Sequence, residues 1–285
     1  LVTFNDGVAE ISDFQKVGMP GAKKEVSKKE FFSILADNIQ RFMGKSKKIG
    51  FCFSYAAEIT PDHDGIPLMF SKEIKAPEVI GKRLGKELLA ELATRGYDTE
   101  GMTVSIVNDT VATLLAAKAA YTGDASTYIG FILGTGTNTA YVERNSNIKK
   151  LSLSEGSQII NVESGCLKLE LSGIDEEFMT TTKDSNSYHL EKKISGAYLG
   201  PFALFVLKKA AEEGVFSSQS VEKLSEMNDL ETKDVGGFLR EAGDFSNPLS
   251  FFSANKEDAK NAYIIMRSIV ERSGKLTALN LTAAV

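Results

Sequence analysis

Asp109 stands where an apolar run, residues 102–107, gives way to a helical one beginning at Thr110. A carboxylate there lies at the carboxyl end of a strand, in the place where open α/β sheets bind ligands. Burial raises the pKa of such a group and the positive end of a helix lowers it, a balance suited to a general base at neutral pH. An N-cap is the commonest use of Asp in front of a helix, and the local sequence alone favours that reading over catalysis. A second candidate is the segment Gly134, Thr135, Gly136, Thr137 and Asn138, set between two strand-like runs. Its glycines let backbone N–H groups approach an anion, and its threonines add donors for phosphate oxygens. It fits neither a P-loop nor a dinucleotide fingerprint, both of which need a following helix, and an ordinary hairpin uses the same residues. Phosphoryl transfer is mostly positioning and charge stabilisation, which a base and such a turn together supply.

Asn138, Asn161 and Glu163 fall at or just after strand ends, and Glu191 lies near a helix start. A polyol needs several fixed donors and acceptors, which amides and carboxylates provide. Leaving such groups unmatched by a wrong substrate is costly, and specificity follows. Taken singly, each is also readable as a solvated turn residue. Lys72 either points at a sugar oxygen or belongs to the many surface lysines. His63 and His189 read as surface residues and form no metal or catalytic cluster.

The elements that must position these groups alternate between strands and helices, which indicates an α/β protein. Residues 1–14 read as a hairpin about Asn5, Asp6 and Gly7. Ser27 and Glu30 have the spacing of a capping box before an amphipathic helix carrying Phe31, Phe32, Ile34, Leu35, Ile39 and Phe42. Residues 49–54 read as a strand covered on both faces, followed by a polar turn at 62–65 and a helix over about 78–96. Residues 102–107 read as another buried strand and 110–121 as a helix. Residues 127–134 and 139–144 flank the glycine segment as a second hairpin. A strand over 157–163 leads into a polar stretch, and from Tyr188 onward the pattern is mainly helical.

With 285 residues, 42% hydrophobic and 25% charged, the chain has room for two domains with their own cores. A net charge of −5 argues against a nucleic-acid partner, which favours a basic face. No apolar run approaches the roughly 20 residues of a membrane span. Cys52 and Cys166 make neither a disulfide framework nor a metal spacing, and a reducing cytoplasm is the expected location. The chain opens at Leu1 inside a strand-like run and stops inside a helical one, so both ends read as cut.

Taken in order, these segments resemble the hexokinase family. The catalytic strand, Asn-Asp-Thr-Val and helix of that family are matched by SIVNDTVATLL at 105–115, and its phosphate hairpin by IGFILGTGTNTAYVE at 129–143. The sugar-binding Asn-x-Glu is matched by Asn161, Val162 and Glu163 with Gly165 after it, and a later motif by LEKKISGAYLG at 190–200. GFCFSYA at 50–56 is similar to the strand entering the sugar loop, and Ser71 and Lys72 fall where the family has Thr-Lys. The chain departs from the family in lacking tryptophan, with Phe70 and Ser164 at two such positions, and in carrying Tyr55 and Ala56 for Phe-Pro.

The resemblance implies an actin-like ATPase (ribonuclease H-like) fold, with two α/β domains flanking a cleft: a small domain over 1–107 and a large one over 108–285. It implies that Asp109 deprotonates the 6-hydroxyl of a hexose, glucose or a similar one. It further implies that Asn108, Glu163 and Glu191 bind sugar hydroxyls, with Asn138 and Asn161 lining the pocket. Ser54, Ser71 and Lys72 would close on the sugar, and Gly134, Thr135 and Gly136 would hold ATP phosphates, with Mg²⁺ as the nucleotide's partner. The family's first phosphate motif and its adenosine motif are expected before Leu1 and after Val285, so the chain alone is expected to have little kinase activity. The rival readings are a hexokinase-like sugar sensor, which has no need of Asp109, and an actin-like structural ATPase, which has no need of Glu163 and Glu191.

Overall fold

The computed structural model describes residues 1–6, 8–70, 74–121 and 123–284. They form two compact units, Leu1–Gly130 and Phe131–Val285.

In the first unit, β1 (Val2–Asn5) and β2 (Val8–Ile11) make the expected antiparallel hairpin. Helix α1 (Lys28–Ile39) starts at Ser27, whose side chain accepts the Glu30 N–H at 3.2 Å. The Glu30 carboxylate pairs with Lys24 at 2.8 Å, so one half of the capping box forms. Strands β3 (Lys48–Cys52) and β6 (Thr103–Val107) run parallel, Lys48 opposite Thr103 and Cys52 opposite Val107. A small hairpin, β4 (Ala57–Ile59) and β5 (Gly65–Pro67), and helix α2 (Leu84–Thr94) lie between them in sequence.

Residues 77–79 form only a short 3-10 turn, so α2 is shorter than the periodicity suggests. Its start is set by buried Asp64 of the β4–β5 turn, which accepts the Gly85 and Lys86 N–H groups at 2.7 and 3.1 Å. Phe31, Phe32, Leu84, Leu88, Leu92, Val104 and Ile106 build the core. Because α1 and α2 supply that core from one side, β3 and β6 alternate instead of being covered on both faces. Lys48, Gly50, Cys52, Thr103 and Ser105 are exposed. Helix α3 (Asp109–Ala120) follows β6 after Asn108 alone.

The second unit begins within β7 (Ile129–Leu133), which with β8 (Thr137–Arg144) and β9 (Ser157–Asn161) forms a sheet in that order, with β8 and β9 antiparallel and Ala140 opposite Asn161. Helices α4 (Gly173–Thr180), α5 (His189–Ile194), α6 (Leu199–Glu212), α7 (Ser218–Glu226), α8 (Thr232–Arg240) and α9 (Lys256–Thr282) complete it. Their core includes Phe178, Phe202, Leu207, Phe238, Phe252 and Met266. Helix α4 lies in the stretch read as merely polar. A reciprocal Ser172–Asp175 capping box starts it, and Phe178 and Met179 bury it.

Candidate active site

In the first unit the parallel pair β3 and β6 brings its two carboxyl ends together. Phe53 N–H donates to Val107 O at 2.8 Å, so the chain leaving β3 at exposed Ser54 departs beside the chain entering α3. The cap of α3 is Asn108, whose side-chain oxygen accepts the Thr110 N–H at 2.8 Å. Asp109 occupies the first helical position. Its Oδ1 accepts the same N–H at 2.8 Å and lies 3.2 Å from the Thr110 hydroxyl, and the residue is partly exposed. The capping reading of Asp109 therefore transfers to its neighbour, and one carboxylate oxygen carries no hydrogen bond among the described residues. Burial, and then the charge of Asp109, push the Cys52 thiol up. Close packing holds the start of α3: a Cβ on Gly130 would lie 2.2 Å from Thr110 O.

In the second unit the glycine turn spans only residues 134–136, because Thr137 and Asn138 already belong to β8. The Thr137 hydroxyl donates to Ile132 O at 2.9 Å, which ties the turn across its base. Gly134 O and Thr135 O accept N–H groups of Gly196 and Ala197 at 2.7 and 3.2 Å. Two carbonyls of the turn are thus consumed by the α5–α6 junction and the third, Gly136 O, by the Gly134 N–H at 2.9 Å, while the Thr135 and Gly136 N–H groups donate no hydrogen bond among the described residues. That is the polarity an anion requires.

Four polar residues gather beside this turn. Asn138, buried on β8, accepts the Thr139 and Ser164 N–H groups at Oδ1 (2.7 and 3.2 Å) and donates through Nδ2 to Asn161 Oδ1 (2.8 Å) and Glu163 Oε1 (3.3 Å). Asn161, at the end of β9, donates to the same Glu163 oxygen at 2.7 Å. Glu191 Oε2 accepts the Thr137 N–H at 3.0 Å. A Cβ on Gly136 would lie 2.5 Å from that oxygen, and one on Gly165 would lie 2.8 Å from Thr137 O and 3.2 Å from the same carboxylate oxygen, so the carboxylate sits against Gly136 and the β8 backbone against Gly165.

Burial raises the Glu191 carboxyl above its ordinary range; the Thr137 N–H opposes this, and the nearby Glu163 charge adds to it. Burial, then Glu163 and Glu191, raise the Cys166 thiol against a hydrogen bond with Tyr188. The cluster is thus two carboxylates and two amides of fixed orientation, with a thiol and a phenol beside them.

Gly134, Thr135, Gly136, Asn138, Asn161, Glu163 and Glu191 are therefore brought together, as are Ser54, Asn108 and Asp109 in the first unit. Ser71 and Lys72 lie outside the described residues. Tyr188 and Cys166 carry no motif signal when the sequence is read locally; both join the cluster because α5 packs against the short turn at Ser164–Cys166. Among the described residues no group of three or more His, Cys, Asp or Glu side chains could hold a metal, and no helix is long and apolar enough to cross a membrane.

Two profiles described as hexokinase match the chain, one over residues 2–119 and one over 128–285. Hexokinase-4, chloroplastic, of Oryza sativa subsp. japonica is 28% identical over 95% of this chain and 57% of its own length. Hexokinase-10 of the same species is 32% identical over 75% of this chain and 45% of its own length. The chain thus spans about half the length of the curated relatives it matches. A solved structure, hexokinase from Schistosoma mansoni complexed with glucose, aligns over 98% of this chain and 67% of its own with a TM-score of 0.73 and 22% identity. That likeness is one of fold, the actin-like ATPase (ribonuclease H-like) α/β architecture. With matching profiles covering nearly its whole length, the chain belongs to the hexokinase family.

Proposed function

We propose that this chain belongs to an ATP-dependent hexose kinase that phosphorylates glucose, or a similar hexose, at the 6-hydroxyl. The observation that carries this reading is the convergence of Asn138, Asn161, Glu163 and Glu191 beside a glycine turn whose Thr135 and Gly136 N–H groups are unpartnered among the described residues: a polyol reader next to an anion cradle. Glu163 and Glu191 accept from sugar hydroxyls, and Asn138 and Asn161 orient Glu163. Asn108, Ser54, Ser71 and Lys72 complete the sugar contacts in this proposal. Asp109 takes the proton of the 6-hydroxyl as that oxygen bonds to the terminal phosphorus. The bond to the bridging oxygen breaks in the same step, leaving hexose 6-phosphate and ADP.

A turn with free N–H groups at Thr135 and Gly136 fits a phosphate, so the segment Gly134, Thr135 and Gly136 would hold the nucleotide. ATP supplies the transferable phosphoryl group, and Mg²⁺ accompanies it to neutralise its charge. The division into a small domain over 1–107 and a large one over 108–285 belongs to this proposal. So does a cytoplasmic location, which is supported by free, exposed Cys52 and Cys166.

A coupled ADP-release assay on the intact protein over a hexose panel tests the reading. Hexose-dependent ADP is expected, and Asp109→Ala should lower kcat by about 10²–10⁴-fold, the usual contribution of a general base. No hexose-dependent ADP, or a kcat unaffected by Asp109→Ala, sinks it; tight hexose binding without turnover points instead to a sensor.

A further inference from the structure

Glu163 presents its carboxylate from a left-handed backbone, φ 54° and ψ 45°. A non-glycine residue keeps that conformation only where its surroundings over-determine it. On one side the surroundings are Asn138 and Asn161. On the other is a line of hydroxyls and an amide that the sugar contacts do not use. Ser164, the next residue, is 4% exposed and its Oγ lies 3.0 Å from Thr139 Oγ1. Thr139, 1% exposed on β8, accepts from Asn280 Nδ2 at 2.6 Å. Asn280 belongs to α9 and lies 141 residues further along the chain than Thr139. A hydroxyl has one proton and two lone pairs, so Thr139 can accept the amide proton and donate its own to Ser164.

We propose that Asn280, Thr139 and Ser164 are positioning residues, a relay by which helix α9 holds the Glu163 turn in its sugar-binding conformation. This rests on the reading of Glu163 as a sugar ligand. The relay ends on Ser164 and not on the Glu163 carboxylate, so it governs where that carboxylate stands and leaves proton transfer at Asp109 untouched. Its loss raises the hexose KM and spares kcat. Thr139 is the informative position: valine matches its shape but leaves buried Ser164 Oγ and half-buried Asn280 Nδ2 without their partner, whereas serine keeps the hydroxyl.

The test compares Thr139→Val, Thr139→Ser and wild type in the intact protein, by hydrogen exchange of residues 161–167 without sugar and by steady-state kinetics. Thr139→Val should exchange faster over 161–167 with α6–α8 unchanged, and should raise the hexose KM about tenfold, one factor of ten for ~1.4 kcal/mol, with kcat within about twofold. Thr139→Ser should stay near wild type in both. Should Thr139→Val fail to fold, Asn280→Ala, at a half-buried position, carries the same measurements. Unchanged exchange over 161–167 overturns the relay whether or not the protein phosphorylates a hexose. Faster exchange with an unchanged KM overturns the positioning role while the kinase reading stands. A wild type without hexose turnover defeats the kinase reading and with it the sugar role, and the exchange data then decide the relay as a purely structural one.

Discussion

Replacing Asp175 by Asn removes the anion from a cluster that joins α4, α5 and α9. Asp175 is 3% exposed, and its Oδ2 accepts from Ser172 N–H, the Ser172 hydroxyl and Lys193 Nζ at 3.1, 2.8 and 3.0 Å. Its Oδ1 accepts from Arg272 Nη1 at 2.8 Å. Lys193 is itself buried, and the Arg272 guanidinium lies 4.7 Å from the Phe202 ring centroid with Nε and Nη2 unpartnered among the described residues.

Burial pushes the Asp175 carboxyl up, but Ser172, Lys193 and Arg272 outweigh it and hold it at about 2, against an ordinary 3.8. That difference favours the folded state by ~2 kcal/mol at neutral pH. The substitution also leaves buried Lys193 and partly exposed Arg272 without their anion, and breaking a buried pair from one side costs about 3–5 kcal/mol. Asp175→Asn is therefore expected to lose ~3 kcal/mol in urea unfolding followed by far-UV circular dichroism at pH 7.

A carboxyl whose pKa is depressed on folding contributes stability that is present above its unfolded value and lost as pH falls through the folded one. The window thus runs from 3.8 down to about 2. About half of the charge contribution is gone by pH ~3, so the gap between wild type and variant should narrow there. A gap below about 0.5 kcal/mol at pH 7, or one that does not shrink on acidification, would show that the cluster is not an energetic anchor.

Gly130→Ala should displace the first turn of α3, since its Cβ would meet Thr110 O at 2.2 Å and Leu114 Cβ at 3.0 Å. A loss of ~2 kcal/mol and a lower kcat are expected, and a variant with wild-type melting and turnover contradicts the packing argument. Glu191 is raised by burial, so its neutral form is favoured in the fold; stability is present at low pH and lost as pH rises through the folded pKa. Glu191→Gln should accordingly be at least as stable as wild type at neutral pH while binding hexose more weakly. Unfolding curves at pH 4 and 7.5 and calorimetry decide this, and a less stable variant at pH 7.5 refutes it. Because burial and Asp109 both raise the Cys52 thiol, Asp109→Asn should speed its alkylation by iodoacetamide at pH 7.5. An unchanged rate, read by mass spectrometry, shows that the two groups do not interact.

The strand–Asn108–Asp109–helix junction, the glycine turn and the positions of Asn138, Asn161 and Glu163 at strand ends were legible in the sequence. Each rests on signals a few residues apart: an apolar run, a capping side chain, a turn glycine. The α/β class follows from the same local signals. Which of two adjacent residues caps α3 was not legible, because Asn and Asp cap equally well and only backbone geometry assigns the bond to Asn108.

Helix α4 was not legible in the sequence, because Asp175, polar in sequence, is buried by partners on two other helices. The openness of β3 and β6 depends on which faces α1 and α2 cover, although the alternation of Thr103 and Ser105 with Val104 and Ile106 already pointed that way. Tertiary structure alone set Glu191 against Thr137, 54 residues away, and Asn280 against Thr139. Local chain stiffness and capping act over a turn or two, and a sequence displays them directly. Contacts across such separations depend on how whole elements pack, and no spacing in the sequence encodes which side chains will meet.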